Sequence, residues 1–364
     1  MKHAWKELIY GKKKYILIEL LLILLMFMVL FLVGLAEGLG RAVISGIDTM
    51  DAEYFLLDES AERQITVSGL KEDVLGEVRS MTSSDVTTLD IQRTYLTKGG
   101  DTEKINAMYF AIEPGSFIEP DVMEGNGLTV ENAEHSILLD DDFKLKGIAV
   151  GDTVYDSSSD FAFTVVGFTK DQMYNHASVG FISTETYTEI CTALNPMYQK
   201  SIHALVIRGR DVEKIKVAGT ELVKKADVIS SIPAYTAEQS TISMIVWVLI
   251  IVSAVIIGIF HYIMTLQKRK QFGVMKALGT KNRTLAGAVI CEVGTLSVFA
   301  AIFSLGLTFG MAAAIPETMP FYLKFSDAAI VALAFVVISV LSSILSIVNI
   351  SRIDPITAIG GGEE

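Results

Sequence analysis

The sequence predicts a membrane protein with four transmembrane α-helices and a large α+β extracellular domain inserted between helices one and two. Three observations predict it. The chain of 364 residues is 51% hydrophobic with a mean hydropathy of +0.46, too apolar for an ordinary soluble domain. The apolarity gathers into four runs, Ile16–Leu35, Ile242–Met264, Ala286–Ile315 and Asp327–Ile350, each near the roughly 20 residues that a spanning helix needs. Between the first two lies a polar, acidic stretch of about 200 residues, enough for one or two folded domains.

The leader, residues 1–15, carries Trp5, Tyr10 and Tyr15 among lysines and suits a helix on the inner membrane surface. Its lysines place the N-terminus in the cytoplasm. Helix one, residues 16–40, is too long for a cleaved signal core and has no small-residue cleavage site close behind it. Glu19 lies near its inner end, within reach of the headgroups. Glu37 lies at its outer end, beside Gly34-x-x-x-Gly38, a pattern that permits close helix approach.

The inserted domain spans residues 41–235, beginning with a helical stalk from Arg41 to Tyr54. Leu70, Val74, Leu75, Val78 and Met81 keep helical spacing, while Ile65–Ser68, Val86–Leu96 and Ile105–Ile112 read as strands. Glu113–Pro114–Gly115 marks a turn. Further strands are expected at Ser136–Leu139, Asp152–Tyr155, Phe161–Phe168, Val179–Ser183 and Ile202–Arg208, with helices at Thr184–Leu194 and Val212–Ala226. Cys191 and Cys291 fall on different sides of this topology, so no internal disulfide is expected.

Helix two, residues 242–264, leads into a basic elbow, residues 265–285. Lys268, Arg269, Lys270, Lys276, Lys281 and Arg283 stand out in a chain of formal net charge −12. Short loops rich in lysine and arginine stay in the cytoplasm, which agrees with the orientation read from the leader. Phe272, Met275 and Leu278 recur on one face of a short amphipathic helix. Gly279 stops that helix, and Thr280 or Asn282 can cap the next. Helix three, residues 286–315, holds Gly294, Gly306 and Gly310. Pro316 and Pro320 bracket an outer hairpin before helix four, residues 327–350, and a cytoplasmic tail, residues 351–364.

No G-x-x-x-x-G-K-S/T loop, H-E-x-x-H, C-x-x-C or G-x-S-x-G occurs, and His3, His135, His176, His203 and His261 lack metal-ligand spacing. The chain is read as a non-enzyme without metal or intrinsic cofactor. Energy, if coupled, must come from a separate ATPase. Near the outer halves of helices one and two, Met26, Met28, Glu37, Tyr235, Glu238, Met244 and Trp247 offer soft or polar groups. Thioether sulfur can ligate haem iron, whereas methionines in membrane helices also serve as plain packing.

The run QKRKQFGVMKALG, Gln267 to Gly279, resembles the R-x-x-E-F/I-G/A-V/I-L/M-R/K-A-L/I-G segment of FtsX/MacB-type ABC transporter permeases, with Lys270–Gln271 where that segment is acidic. The run ILLDDDFKLKGIAVGDTV, the following FTVVGF, and Arg352 and Pro355 of the tail are similar to the same family. Within it, Pro233, Tyr235, Ala237, Glu238 and Gln239, with Thr265, Leu266, Gln267, Phe272 and Gly273, look like the HrtB-type haem-exporting permeases of Gram-positive bacteria.

The resemblance implies a permease homodimer in the plasma membrane, with two cytoplasmic ABC ATPase subunits, lipid contacts and no nucleic acid. The ATPases would push the elbow through Phe272, Gly273, Met275, Lys276, Leu278 and Gly279. Haem, entering from the outer leaflet, is the implied cargo, and Met28, Glu37, Glu238 and Met244 are placed at its site by depth alone. Lipoproteins, antimicrobial peptides or other lipophilic compounds are alternative cargoes. Mechanotransmission to an extracellular hydrolase, without transport, is the reading from another class.

Overall fold

The computed structural model describes residues 12–99, 103–212, 214–233, 235–316 and 319–351. The chain divides into two compact units: residues up to Gly38 with those from Ser240 onward, and Leu39–Gln239. The leader, apart from its last residues, and the tail beyond Ser351 lie outside the described residues.

Among the described residues, four helices are long and apolar enough to cross a membrane: α1 (Lys12–Asp48), α5 (Tyr235–Gln267), α7 (Asn282–Ala312) and α8 (Phe325–Ser351). A short helix, α6 (Arg269–Ala277), joins α5 to α7. Ile18, Leu22, Met26 and Leu30 recur every fourth residue on one face of α1, so they stack along a single stripe. That stripe packs on Ile257 and Met264 of α5, Leu296 and Ala300 of α7, and Ala328, Ala332 and Phe335 of α8. Leu17, Leu20, Leu24 and Met28 form the exposed stripe of α1.

The Gly34-x-x-x-Gly38 pattern is used inside the chain. A Cβ at Gly34 would strike the Phe321 ring and one at Gly38 the Pro320 carbonyl, and Tyr322 N–H donates to Gly34 O at 3.0 Å. Pro320 and Phe321, between α7 and α8, therefore lie in the notch that the two glycines leave open. Glu19 departs from expectation too. Both carboxylate oxygens are buried, with no hydrogen-bond partner among the described residues, rather than open to headgroups.

The inserted unit is α+β. Its strands are β1 (Tyr54–Asp58), β2 (Asp85–Lys98), β3 (Ile105–Ile112), β4 (Val122–Gly125), β5 (Ser136–Asp140), β6 (Thr153–Asp156), β7 (Ala162–Thr169), β8 (Met173–Tyr174), β9 (Ala177–Ser183), β10 (Ala204–Arg208) and β11 (Thr220–Lys224). They form one mixed sheet in the order β11-β1-β10-β2-β3-β9-β5-β7-β4, with β6 bridging β2 and β7 and β8 paired to β9. Helices α2 (Asp73–Met81), α3 (Thr184–Leu194) and α4 (Lys225–Ser230) complete it. The end of α1 belongs to this core, because Val43 and Ile47 are fully buried against Phe110, Tyr174 and Phe181.

Most predicted strands and the Thr184–Leu194 helix stand where the sequence puts them. Three do not. Ile65–Ser68 is a 3-10 turn over Ile65–Val67, in which Ile65 enters the core while Val67 stays exposed and the Ser68 hydroxyl accepts the Asp58 N–H at 2.9 Å. Val212–Ala226 is not one helix, since Gly219 at φ +76 breaks the run and Thr220–Lys224 pairs antiparallel with β1. The stalk ends at Asp48, and Tyr54 already begins β1.

Helix ends also differ from the sequence boundaries. α1 runs past residue 40 without a break, and α5 begins at Tyr235 rather than Ile242. Neither Thr280 nor Asn282 caps α7. Its N-cap is Lys281, which makes no side-chain cap bond.

Candidate functional site: the elbow and the hairpin clasp

The elbow closes on a Schellman motif. Gly279 sits in the left-handed region at φ +90, its N–H donates to Lys276 O at 2.9 Å, and Thr280 N–H donates to Met275 O at 3.0 Å. Only glycine takes that conformation without strain, so the α6–α7 turn depends on it. The expected single apolar face is split by the fold. Phe272, 7% exposed, packs on Leu285, Val289 and Val293 of α7, and Gly273 is buried beside it. Met275 and Leu278 point away, Leu278 being 81% exposed. The exposed apolar surface of α6 is thus Val274, Met275 and Leu278, with Arg269 and Lys270 also exposed, while Phe272 anchors the helix from beneath.

A buried ion pair fixes the root of the elbow. Lys268 Nζ lies 2.8 and 2.7 Å from the two oxygens of Glu292 on α7, with side chains only 12% and 7% exposed. His261, two turns earlier on α5, is buried with neither ring nitrogen hydrogen-bonded among the described residues. The sequence reading named Lys268 only as one positive charge among six and did not single out Glu292.

In the inserted unit the expected site residue Glu238 has a specific partner. Its carboxylate lies 3.3 Å from His176 Nε2. His176 and Asn175 form the two-residue tip of the β8–β9 hairpin, with Met173 opposite Ser178 and Tyr174 opposite Ala177. Both tip residues have positive φ, 49° at Asn175 and 59° at His176, as a type I′ turn requires. Their N–H groups donate to Val43 O and Ala42 O of α1 at 3.0 Å. The Ser45 hydroxyl accepts the Met173 N–H at 3.0 Å, and Arg41 lies 3.3 Å from Asp171. One hairpin therefore clasps the C-terminal end of α1 and the first turn of α5.

Met28 and Met244 are exposed on their helices and Glu37 is exposed as well. No hydrogen bond or ion pair involving Glu37 is found among the described residues. Met26, also noted in the sequence, is fully buried in the helix core. His176 is the partner of Glu238 that sequence reasoning did not name. Its signal was local: Tyr-Asn-His-Ala between two β-prone runs is a hairpin tip, which presents its side chains to neighbouring elements.

Burial perturbs two carboxyl groups within the inserted unit. Asp140 is raised to about 7 and Asp90 to about 6, in each case chiefly because the charged form is desolvated. Backbone N–H donors, from Gln172 and Asp142 to Asp140 and from His203 to Asp90, hold those rises back.

Four membrane-length helices, found among the described residues, indicate a multi-pass membrane protein. Residues 243–355 match the FtsX-like permease C-terminal family. Over 367 aligned positions covering all of both chains, the sequence is 27% identical to the "Putative hemin transport system permease protein HrtB" of Staphylococcus haemolyticus. It is likewise 27% identical to the HrtB of Staphylococcus epidermidis strain ATCC 12228, again end to end. An uncharacterized ABC transporter permease of Mycobacterium bovis is 29% identical over 147 residues, 39% of this chain and 41% of that one. The crystal structure of the extracellular domain of the noncanonic ABC-type transporter YknZ from Gram-positive bacteria covers 44% of this chain and 83% of its own, at 10% identity and a TM-score of 0.32. The C-terminal third of the chain thus resembles an FtsX-like permease domain, and the whole length is similar to the staphylococcal HrtB permeases.

Proposed function

We propose that this permease exports haem from the outer leaflet of the plasma membrane by ATP-driven mechanotransmission. It works as a homodimer with two cytoplasmic ATPase subunits, and both chain termini face the cytoplasm. The observation that carries the reading is the end-to-end similarity to permeases named for hemin transport. The geometry supports the mechanical part. An ATPase gripping Met275 and Leu278 pushes a helix that Phe272 and the Lys268–Glu292 pair bind firmly to α7, so motion at the elbow is passed on rather than absorbed. The hairpin clasp holds the C-terminal end of α1 and the first turn of α5 to the sheet.

Met28, Glu37, Glu238 and Met244 are the proposed cargo contacts, with His176 added because it already touches Glu238. Thioether, imidazole and carboxylate groups are all competent iron ligands. The test is an absorption titration of the purified protein with haemin, with Met28→Ala, Met244→Ala, Glu238→Ala and His176→Ala alongside. A saturable Soret shift that those variants lose supports the reading. A spectrum matching haemin in empty detergent removes haem as cargo and leaves an ABC permease for another lipophilic compound.

A further inference from the structure

A stretch of β2 lacks a strand on one side. β10 covers β2 only as far as Leu89, opposite Ala204, and β6 takes over at Leu96. Between them β2 pairs with β3 alone. The Ile91 N–H points into this gap and donates to His203 Nδ1 at 3.1 Å. Alternation along an antiparallel strand turns the peptide groups of Ile91, Arg93 and Tyr95 the same way. The Tyr95 carbonyl accordingly accepts from Ser157 N–H, just past β6, at 2.8 Å. The Arg93 peptide group is left facing the gap, where a cavity of about 530 Å³ opens.

The chemistry of this cavity is one-sided. Ile91, Met108, Tyr174 and Tyr187 supply buried apolar surface. Arg93 supplies a guanidinium whose Nη2 donates to Asn175 O at 2.8 Å and which has no carboxylate partner among the described residues. Because His203 Nδ1 accepts a hydrogen bond, the neutral ring carries its proton on Nε2 and offers a second donor. The Tyr174 hydroxyl has no hydrogen-bond partner among the described residues and is a third. Asp90 sits against the His203 Nδ1 edge, 3.3 Å away, and its carboxylate takes the His203 backbone N–H without lining the cavity.

No aspartate or glutamate stands among the described lining residues, in a chain of net charge −12. A second cavity of the same volume in this unit is lined by Asp51, Glu119, Asp121 and Asp171 against a single Lys170. An acidic lining is what this acidic domain produces elsewhere, so a cavity that gathers donors and excludes carboxylates is suited to an anion.

We propose that the cavity binds an amphipathic organic carboxylate. The carboxylate is held by Arg93 and the His203 Nε2–H, and the apolar body lies on Met108, Ile91, Tyr174 and Tyr187. The assignment goes beyond the transport reading and does not require it. An acyl chain and a porphyrin propionate share this chemistry.

The test uses the full chain in phosphatidylcholine nanodiscs, titrated with carboxyl-labelled decanoate followed by carbon NMR, with empty nanodiscs as the lipid blank. Saturable binding is expected, weakened about tenfold or more by Arg93→Glu and Arg93→Gln and largely kept by Arg93→Lys. Decanol, which lacks the carboxylate, should not compete. Thermal unfolding of each variant separates lost binding from lost folding, and Arg93→Gln serves if the charge reversal unfolds the domain. Displacement of decanoate by iron-free protoporphyrin supports the site with a porphyrin as its source, and persistence of decanoate supports it with an acyl source. Equal binding by wild type and both uncharged or reversed variants, or equal competition by decanol, overturns it.

Discussion

Lys268 and Glu292 form a two-pronged ion pair, 2.7 and 2.8 Å from one ammonium to both carboxylate oxygens, at the point where α5 ends and the elbow begins. Their burial decides what the pair is worth. A surface pair contributes about 0–1 kcal/mol, but removing one partner of a buried pair leaves an uncompensated charge and costs about 3–5 kcal/mol. Glu292→Gln is therefore expected to lower the thermal stability of the helix bundle substantially. The double replacement Lys268→Met with Glu292→Leu should recover much of that loss. Thermal unfolding of the three variants in one detergent checks this, and a Glu292→Gln protein as stable as wild type would show that the pair is not what roots the elbow.

The split face of α6 separates two effects that the sequence pattern joins. Phe272→Ala removes a buried aromatic from the Leu285–Val289–Val293 cluster, and such truncations cost about 3–5 kcal/mol. Leu278→Ala removes exposed surface, so stability should change by no more than about 0.5 kcal/mol. If α6 is the ATPase contact, Leu278→Ala and Met275→Ala should impair ATPase coupling in a folded protein. Co-purification with the ATPase subunit and substrate-stimulated ATP hydrolysis report this directly. Normal coupling in the Leu278→Ala and Met275→Ala variants would move the grip elsewhere.

The four apolar runs and the order of strands were legible because they depend on local composition and period: Ile105–Ile112 and Thr184–Leu194 appear with the predicted limits. What sequence could not supply was partnership. Phe272, Met275 and Leu278 do lie at helical spacing, but which side of a nine-residue helix is buried depends on Leu285 and Val289 of another helix. Gly34 and Gly38 announce a close approach without naming the Pro320–Phe321 loop that makes it. Val212–Ala226 has helical periodicity, yet Thr220–Lys224 gains a ladder with β1 that local propensity cannot anticipate.

Acid should strengthen the contribution that Asp140 makes to the inserted domain. The Asp140 carboxyl is raised to about 7 by burial, so the folded state holds a proton that the unfolded chain releases near pH 4. Between those values the folded state binds more protons, and stability falls as pH rises. The contribution is complete below about pH 4 and is lost as pH passes about 7. Asp90, raised to about 6, acts in the same direction over a narrower window. Hydrogen exchange of β5 and β9 amides at pH 5 and pH 8 should show slower opening at pH 5 once intrinsic rates are corrected, and Asp140→Asn should flatten the difference. A pH difference that Asp140→Asn leaves unchanged would contradict the assignment.

The strained tip of the β8–β9 hairpin gives the sharpest separation of stability from coupling. His176 occupies φ +59, a position where glycine is preferred, and a non-glycine residue there costs about 1–2 kcal/mol. Its contact with Glu238 is half-exposed and returns no more than about 1 kcal/mol. His176→Gly therefore relieves more strain than it forfeits in pairing, and it leaves intact the backbone N–H that bonds Ala42 O. The variant should unfold at the same temperature as wild type or higher. If the His176–Glu238 contact links cargo binding to the inserted domain, the same variant should lose the haemin-dependent change in ATP hydrolysis while basal hydrolysis stays unchanged. A marked fall in stability would make His176 a structural residue, and an unaltered haemin response in a stable protein would leave the contact without a role in coupling.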